Sequence, residues 1–342
     1  MVKASSFSSA SIAAIFGAGV ASALLFSLIG KGTALAVSLA YLSPLPLMIA
    51  MIGFGSVAGL GAGAVACLAV GAVSLLQSET VDVAVASAAA LTFAAALAAP
   101  SLLIAFFASA AVGPNASASS PAPGATTFKK LMSAAVVCAA LIAIGASLLV
   151  VSRHGGFEAA LARAVELLRP TLESLVGEAQ LPEGVDLGRV ARAMALAAPP
   201  AIAASTLLML LVNLWLAARV AQKSAQTPTR WPDIPSGLRL PRIGAPILAG
   251  ALAASFVGGP LGLIAATIAA SLVMAFALQG LASVHELTRG WKHRPLALGL
   301  LYLALFALAP PWLLVPCAAL GVADQIFGLR ARKKAAPARR PR

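Results

Sequence analysis

The chain alternates long apolar runs with short polar breaks, and most runs approach the roughly 17–25 residues a helix needs to cross a bilayer. Six such runs occupy residues 8–30, 34–53, 55–76, 83–112, 131–151 and 193–220. The stretch 243–287 is too long for one span and predicts a hairpin turning at Gly258-Gly259-Pro260. The run 296–327 is split by Pro310-Pro311 and reads equally as a tight hairpin or as one broken helix. Prolines also interrupt the second run, at Ser43-Pro44-Leu45-Pro46, and the fourth, at Pro100. Proline has no N–H and clashes with the preceding turn, so the second span is expected to be kinked or partly unwound. Residues 114–127, rich in Pro, Ser, Ala and Gly, read as a flexible linker.

The polar stretch 153–192 follows a different period. Phe157, Leu161, Val165, Leu168, Leu172 and Leu175 recur three or four residues apart, while Glu158, Arg163, Glu166, Arg169 and Glu173 mostly fill the opposite side. That pattern predicts an amphipathic helix, bent at Pro170, lying on the membrane surface or packed on the bundle outside it.

Composition decides the solvent. Hydrophobic residues make up 60% of the 342 and charged residues 10%, against about 45–50% and 25% in soluble domains. Even large soluble domains bury only about three quarters of their surface, so lipid must cover the remainder. The expected fold class is all-α: a polytopic integral membrane helix bundle of about 8–10 transmembrane helices, with one extracytoplasmic amphipathic helix. The net charge of +13 does not point to nucleic acid, because Lys and Arg sit in membrane-flanking breaks rather than on a basic polar face.

Those breaks predict topology. Residues 219–242 hold five basic residues against Asp233, the break at Arg289 three against Glu286, and the tail 330–342 seven; all three are expected to be cytoplasmic. The stretch 153–192, with five basic and six acidic residues, is assigned outside. Both termini then fall on the cytoplasmic side of the cell (inner) membrane, and only Lys31 disagrees. Apolar sequence after Lys3 continues to Gly30, beyond a secretory h-region of about 7–15 residues, so the first run is expected to be an uncleaved span.

Candidate chemistry is sparse. Gly55, Gly59 and Gly63 form a small-residue ladder, and Ala14 and Ala18 repeat the spacing in the first run; such faces let helices approach closely, inside the bundle or at a docking surface. Polar residues in spans are costly and become functional candidates: Asn213, Gln279, His285 and Glu286, with Asp324 and Gln325 closing the last run. Gln279, Ser283 and Glu286 share a helix face, predicting a polar patch near one mouth. The bland alternative is helix–helix hydrogen bonding for Asn213 and Gln279, and interfacial solvation for the others. Cys67, Cys138 and Cys317 lie in apolar runs without a CxxC or a nearby His, and read as packing residues. No GxSxG, HExxH or GxxxxGK[ST] motif occurs, so neither an enzyme, nor an ATP user, nor a cofactor is expected.

Several stretches carry a family resemblance. The segment 42–46 leading into the glycine ladder, Asn213-Leu214-Trp215-Leu216-Ala217, Leu278-Gln279-Gly280-Leu281-Ala282 with His285, and Gly321-Val322-Ala323-Asp324-Gln325-Ile326-Phe327 resemble the YybS-like family of uncharacterised bacterial membrane proteins. Its N-terminal part is similar to the substrate-binding (S) components of energy-coupling-factor transporters, in which an AxxxA face on an early helix docks the membrane coupling subunit. The resemblance implies a six-span bundle over 1–222 carrying the insert 153–192, with Ala14 and Ala18 at the docking positions. A cytoplasmic basic, proline-rich loop (223–242), C-terminal hairpins (243–329) and a basic tail (330–342) then follow. The function expected is a non-enzymatic small-molecule binding or transport subunit, its ligand unknown. The rival expectation is a structural protein that scaffolds partners through its basic loops and tail.

Overall fold

The computed structural model describes residues 8–77, 82–112, 125–176, 186–224, 227, 231, 233–307 and 314–335. Among these every regular element is helical. In chain order they are α1 (Ser9–Ser27), α2 (Ala34–Ala40), α3 (Pro44–Phe54), α4 (Ser56–Gln77), α5 (Val83–Phe93), α6 (Ala99–Val112), α7 (Ala125–Arg153) and α8 (Phe157–Val176). They continue with α9 (Leu187–Lys223), α10 (Ile234–Gly237), α11 (Gly244–Ser255), α12 (Gly259–Leu287), α13 (Arg294–Ala307), α14 (Leu314–Phe327) and α15 (Leu329–Ala335).

Seven helical stretches of the described residues are long and apolar enough to cross a membrane: Ser9–Lys31, Ala34–Phe54, Ser56–Gln77, Val83–Ala110, Thr126–Arg153, Leu187–Lys223 and Gly259–Leu287. Three shorter apolar helices, Gly244–Ser255, Arg294–Leu305 and Leu314–Phe327, accompany them. The protein is thus an all-α membrane helix bundle. At 1.5 Å per residue the 37 residues of α9 reach about 55 Å, well beyond a hydrocarbon core of about 30 Å.

The chain folds as two compact units: residues 1–135 with 208–239, and residues 136–207 with 240–342. In the first unit, packing runs inside-out relative to a water-soluble bundle. Ala58, Gly59, Ala62, Gly63 and Ala66 of α4 are buried, whereas Leu60 and Leu68 face outward, Leu68 at 76% exposure. On α1 the exposed residues Ile12, Phe16, Val20 and Leu24 follow a four-residue step. Small residues at contacts and large apolar ones outside are what lipid selects, because dispersion rather than water exclusion drives helix association there. A Cβ on Gly59 would lie 2.7 Å from that of Met51 on α3, and one on Gly19 would lie 2.7 Å from Val65.

The predicted break in the second run, and Pro100 in the fourth, both have structural consequences. The second run divides into α2 and α3 around turn residues 41–43. Before Pro100 the fourth run loosens into a π segment, Ala94–Ala98, the local unwinding expected where a helix loses one donor. Phe93, buried at its start, meets Phe26 edge-on at 5.1 Å, a contact worth about 0.5–1.5 kcal/mol.

In the second unit, α11 and α12 form the predicted hairpin, with Gly258 at φ +76° and Gly259 at φ +58°, where side chains are disfavoured. Helix α8 turns most of its predicted apolar face inward, with Leu161 buried and Phe157, Val165, Leu168 and Leu172 half-buried, but Leu175 at the end of that face is exposed. Arg163–Glu166 (3.0 Å) and Arg169–Glu173 (2.8 Å) line its polar side, and Arg192 at the start of α9 reaches Glu158 at 3.3 Å. Such exposed pairs contribute little, about 0–1 kcal/mol. The final run consists of two helices, α13 and α14, whose connection lies outside the described residues. So does most of the linker read at 114–127, but α7 already begins at Ala125, within that stretch.

Candidate functional site

Of the polar residues singled out in the sequence, Asn213 belongs to the first unit, and Gln279, His285 and Glu286 belong to the second.

In the first unit the site grows from the proline break. An unbroken helix would pair the carbonyls of Ala40 and Leu42 with N–H groups at positions 44 and 46, both of which are prolines. The chain tightens instead: Ser43 N donates to Ala40 O and Leu45 N to Leu42 O, each at 3.0 Å. Turning Leu45 N towards Leu42 deprives Tyr41 O of its ordinary helical donor. Asn213 on α9 supplies one, its Nδ2 donating to Tyr41 O at 2.9 Å and to Met209 O at 2.8 Å. Ser22 Oγ of α1 donates to Ser43 O at 2.5 Å. Three helices therefore meet at the break through side-chain-to-carbonyl bonds, which is how interrupted membrane helices satisfy freed backbone groups.

The break, and α6 that packs on α3, hold polar atoms with no partner. Ser43 Oγ, Asn213 Oδ1 and Ser101 Oγ of α6 are buried without a hydrogen bond. Two carbonyl acceptors fix the Asn213 amide so that Nδ2 is consumed and Oδ1 is left over. Ser43 is the N-cap of α3 and makes no capping bond, because the position that would donate to it is Pro46 and the Leu45 N–H is already engaged. Ser22, Ser43 and Ser101 carried no distinctive signal, since serine in an Ala-rich span is usually a helix-satisfied filler.

The glycine ladder is divided between two jobs. Gly55, at φ +96°, is the turn between α3 and α4 rather than a face residue. Gly59 meets Met51, and a Cβ on Gly63 would stand 2.6 Å from Leu102 of α6, so both pack inside the first unit. Ala14 and Ala18 are half-buried on α1, the helix that packs along α4.

In the second unit, α12 and α14 cross at Gly280 and Gly321. A Cβ on Gly280 would collide with Cys317 O, and one on Gly321 with Phe276 O. Gln279, almost fully buried, spans this crossing: its Oε1 accepts from Leu240 N at 2.7 Å and its Nε2 donates to Gly321 O at 2.9 Å. Gln325 Nε2 donates to Pro241 O at 2.8 Å. Glu286 is buried and pairs with Arg289 at 2.9 Å. His285 turns elsewhere, its Nε2 lying 2.7 Å from Tyr302 Oη.

Two residues counted in the basic tail have inward roles. Arg330, fully buried, donates from both Nε (2.9 Å) and Nη2 (2.8 Å) to Oδ2 of buried Asp324, and its backbone N–H donates to Asp324 Oδ1. Gly328, at φ +63°, turns the chain so that α15 can fold back. Lys333 Nζ then donates to the carbonyls of Glu286, Leu287 and Arg289 at 2.9, 2.9 and 2.7 Å, capping the C-terminus of α12, where a cation is favoured. No cluster of metal-ligating side chains occurs among the described residues.

These features define the class: a helical integral membrane protein with a polar break in one unit and a close glycine crossing in the other. No family model, curated protein or solved structure matches the chain.

Proposed function

We propose that this is a multi-pass protein of the cell (inner) membrane, related to the YybS-like family, acting as a non-enzymatic small-molecule binding or transport subunit. The observation that carries this reading is the α2–α3 break, where backbone carbonyls and polar side chains come together within apolar helices. Discontinuous membrane helices recur at substrate sites because unwound backbone offers polar groups that regular helix conceals. The Lys/Arg distribution supports cytoplasmic termini and an outer location for α8. Energy for any transport is supplied by a separate membrane coupling subunit, with Ala14 and Ala18 on α1 as its docking positions.

Native mass spectrometry of the detergent-purified protein tests this. A reproducible small-molecule adduct or a co-purifying membrane partner is expected; repeated preparations with neither would overturn it. Scaffolding through the tail has less support, because Arg330 and Lys333 are engaged within the second unit. Removing only residues 336–342 tests that rival without disturbing either contact.

A further inference from the structure

We infer that the α2–α3 break holds a neutral hydrogen-bond-donating guest, either water or the hydroxyl or N–H tip of a small uncharged solute, received by Asn213 Oδ1 with Ser43 and Ser101. The solute arm rests on the binding function proposed above; the site itself does not.

Three side chains carry it. Ser43 and Ser101 are fully buried and Asn213 is 1% exposed, yet each has an oxygen without a partner. Leaving a buried polar atom unpaired is costly, and lipid offers no water nearby to relieve it. Idle hydroxyls are not the habit of this unit. Ser27, Ser38, Thr92 and Ser109 each donate to a carbonyl of their own helix at 2.7–2.9 Å, and Ser22 reaches Ser43 O.

The contacts of α4 set the three residues at neighbouring levels of the bundle. Asn213 is bonded to Tyr41, two residues from Ser43. On α4, Gly59 meets Met51 and Gly63 meets Leu102. Since α3 and α4 run antiparallel, Gly63 stands level with the first turn of α3, which sets Ser101 about one helical turn from Ser43 along the bundle axis. Helix α3 packs against both α6 and the π segment before it.

The chemistry of the guest follows from the donor set. An amide oxygen only accepts, so the guest must donate; the serine hydroxyls do either. Helices α2, α3 and α6 contain no Asp, Glu, Lys or Arg, and on α9 the nearest charge to Asn213 is the exposed Arg219, six residues on, so an ion placed here would lack a counter-charge beside it.

Ser43→Ala and Ser101→Ala test the inference in the full chain, because neither hydroxyl bonds to protein. Thermal unfolding in nanodiscs is read beside native mass spectra. A guest held by these hydroxyls predicts a melting temperature lowered by about 2–4 °C for each variant. If a wild-type adduct disappears in both variants, the guest is the solute. If melting falls with no adduct or with the adduct retained, the guest is water; the site stands, and any ligand binds elsewhere. If both variants melt unchanged or higher, the oxygens are idle and the inference fails. The adduct and partner search for the proposed function stands apart from that result.

Discussion

The two units bury polar side chains for the same reason and reach different ends. At the α12–α14 crossing Gln279 uses both ends of its amide, and Asp324 binds Arg330 at both carboxylate oxygens, the guanidinium at Oδ2 and the backbone N–H at Oδ1. At the α2–α3 break the Asn213 amide uses only its nitrogen, and Ser43 and Ser101 keep free hydroxyls. The second unit has leftover polar atoms as well, Gln325 Oε1 and Arg294 Nε, but on residues that are only half-buried. A closed set of bonds fixes one packing. An open set, fully enclosed by apolar helices, leaves room for something else to complete it.

The largest expected effect tests closure in the second unit. Arg330→Ala leaves the Asp324 carboxylate buried without its partner and should cost about 3–5 kcal/mol, because an uncompensated buried charge is expensive. Pairing Asp324→Leu with Arg330→Met should recover most of that loss, since two buried apolar residues replace an ion pair at little penalty. Thermal unfolding of the single and double variants measures both. A single variant as stable as the double would mean that the pair does not hold α15.

Next comes the crossing itself. Gly280→Ala puts a methyl against backbone that has no side chain to swing away, and a loss of about 3 kcal/mol is expected, at the upper end of overpacking. Gly63→Ala meets only the tip of Leu102, which can change rotamer, and should cost about 1 kcal/mol. Equal losses, read by size-exclusion yield and melting, would erase the distinction between a backbone crossing and a side-chain contact.

Much of this architecture is visible in the sequence because proline and glycine act locally. Pro44 and Pro46 mark the break, Pro100 the π segment, and Gly258-Gly259-Pro260 the α11–α12 turn, each through its own backbone chemistry. The period of 157–175 likewise gives α8, since burial on one side needs no long-range partner. What stayed hidden depends on contacts between distant segments. Gly280 and Gly321 are single glycines 41 residues apart, without the repeated spacing that made 55–63 conspicuous, although Gly55 turns out to be a turn residue. Arg330 looks like the first charge of a tail until Gly328 folds it back onto Asp324. Asn213 and Gln279 both look like isolated intramembrane amides, and only the fold separates a linchpin of the proline break from a tie across two helices.

A smaller effect sharpens the open site. Asn213→Leu removes both side-chain bonds; Met209 O keeps the helical N–H of residue 213, but Tyr41 O loses its donor, so stability should fall by about 1–3 kcal/mol. Backbone amide exchange is expected to quicken at residues 41–47 while α12 stays protected. Uniform acceleration through both units would show that the break is no separate element.

The smallest expected effect concerns the clasp on α12. An ammonium has three hydrogens, and Lys333 directs them to three carbonyls at the end of one helix. Carbonyls at a helix end lack their ordinary i+4 donors, Glu286 O taking instead a turn bond from Arg289 N at 3.2 Å, and the positive charge meets the negative end of the helix dipole. Lys333→Met keeps much of the apolar stem but removes the donors, so about 1–2 kcal/mol should be lost. Lys333→Arg should recover only part of it, since a planar guanidinium cannot follow three carbonyls arranged around a point charge. Amide exchange over residues 286–291 should rise in Lys333→Met and much less at the α2–α3 break. An unchanged exchange rate at 286–291 would mean that α15 rests on the Asp324–Arg330 pair alone, with Lys333 adding no hold on α12.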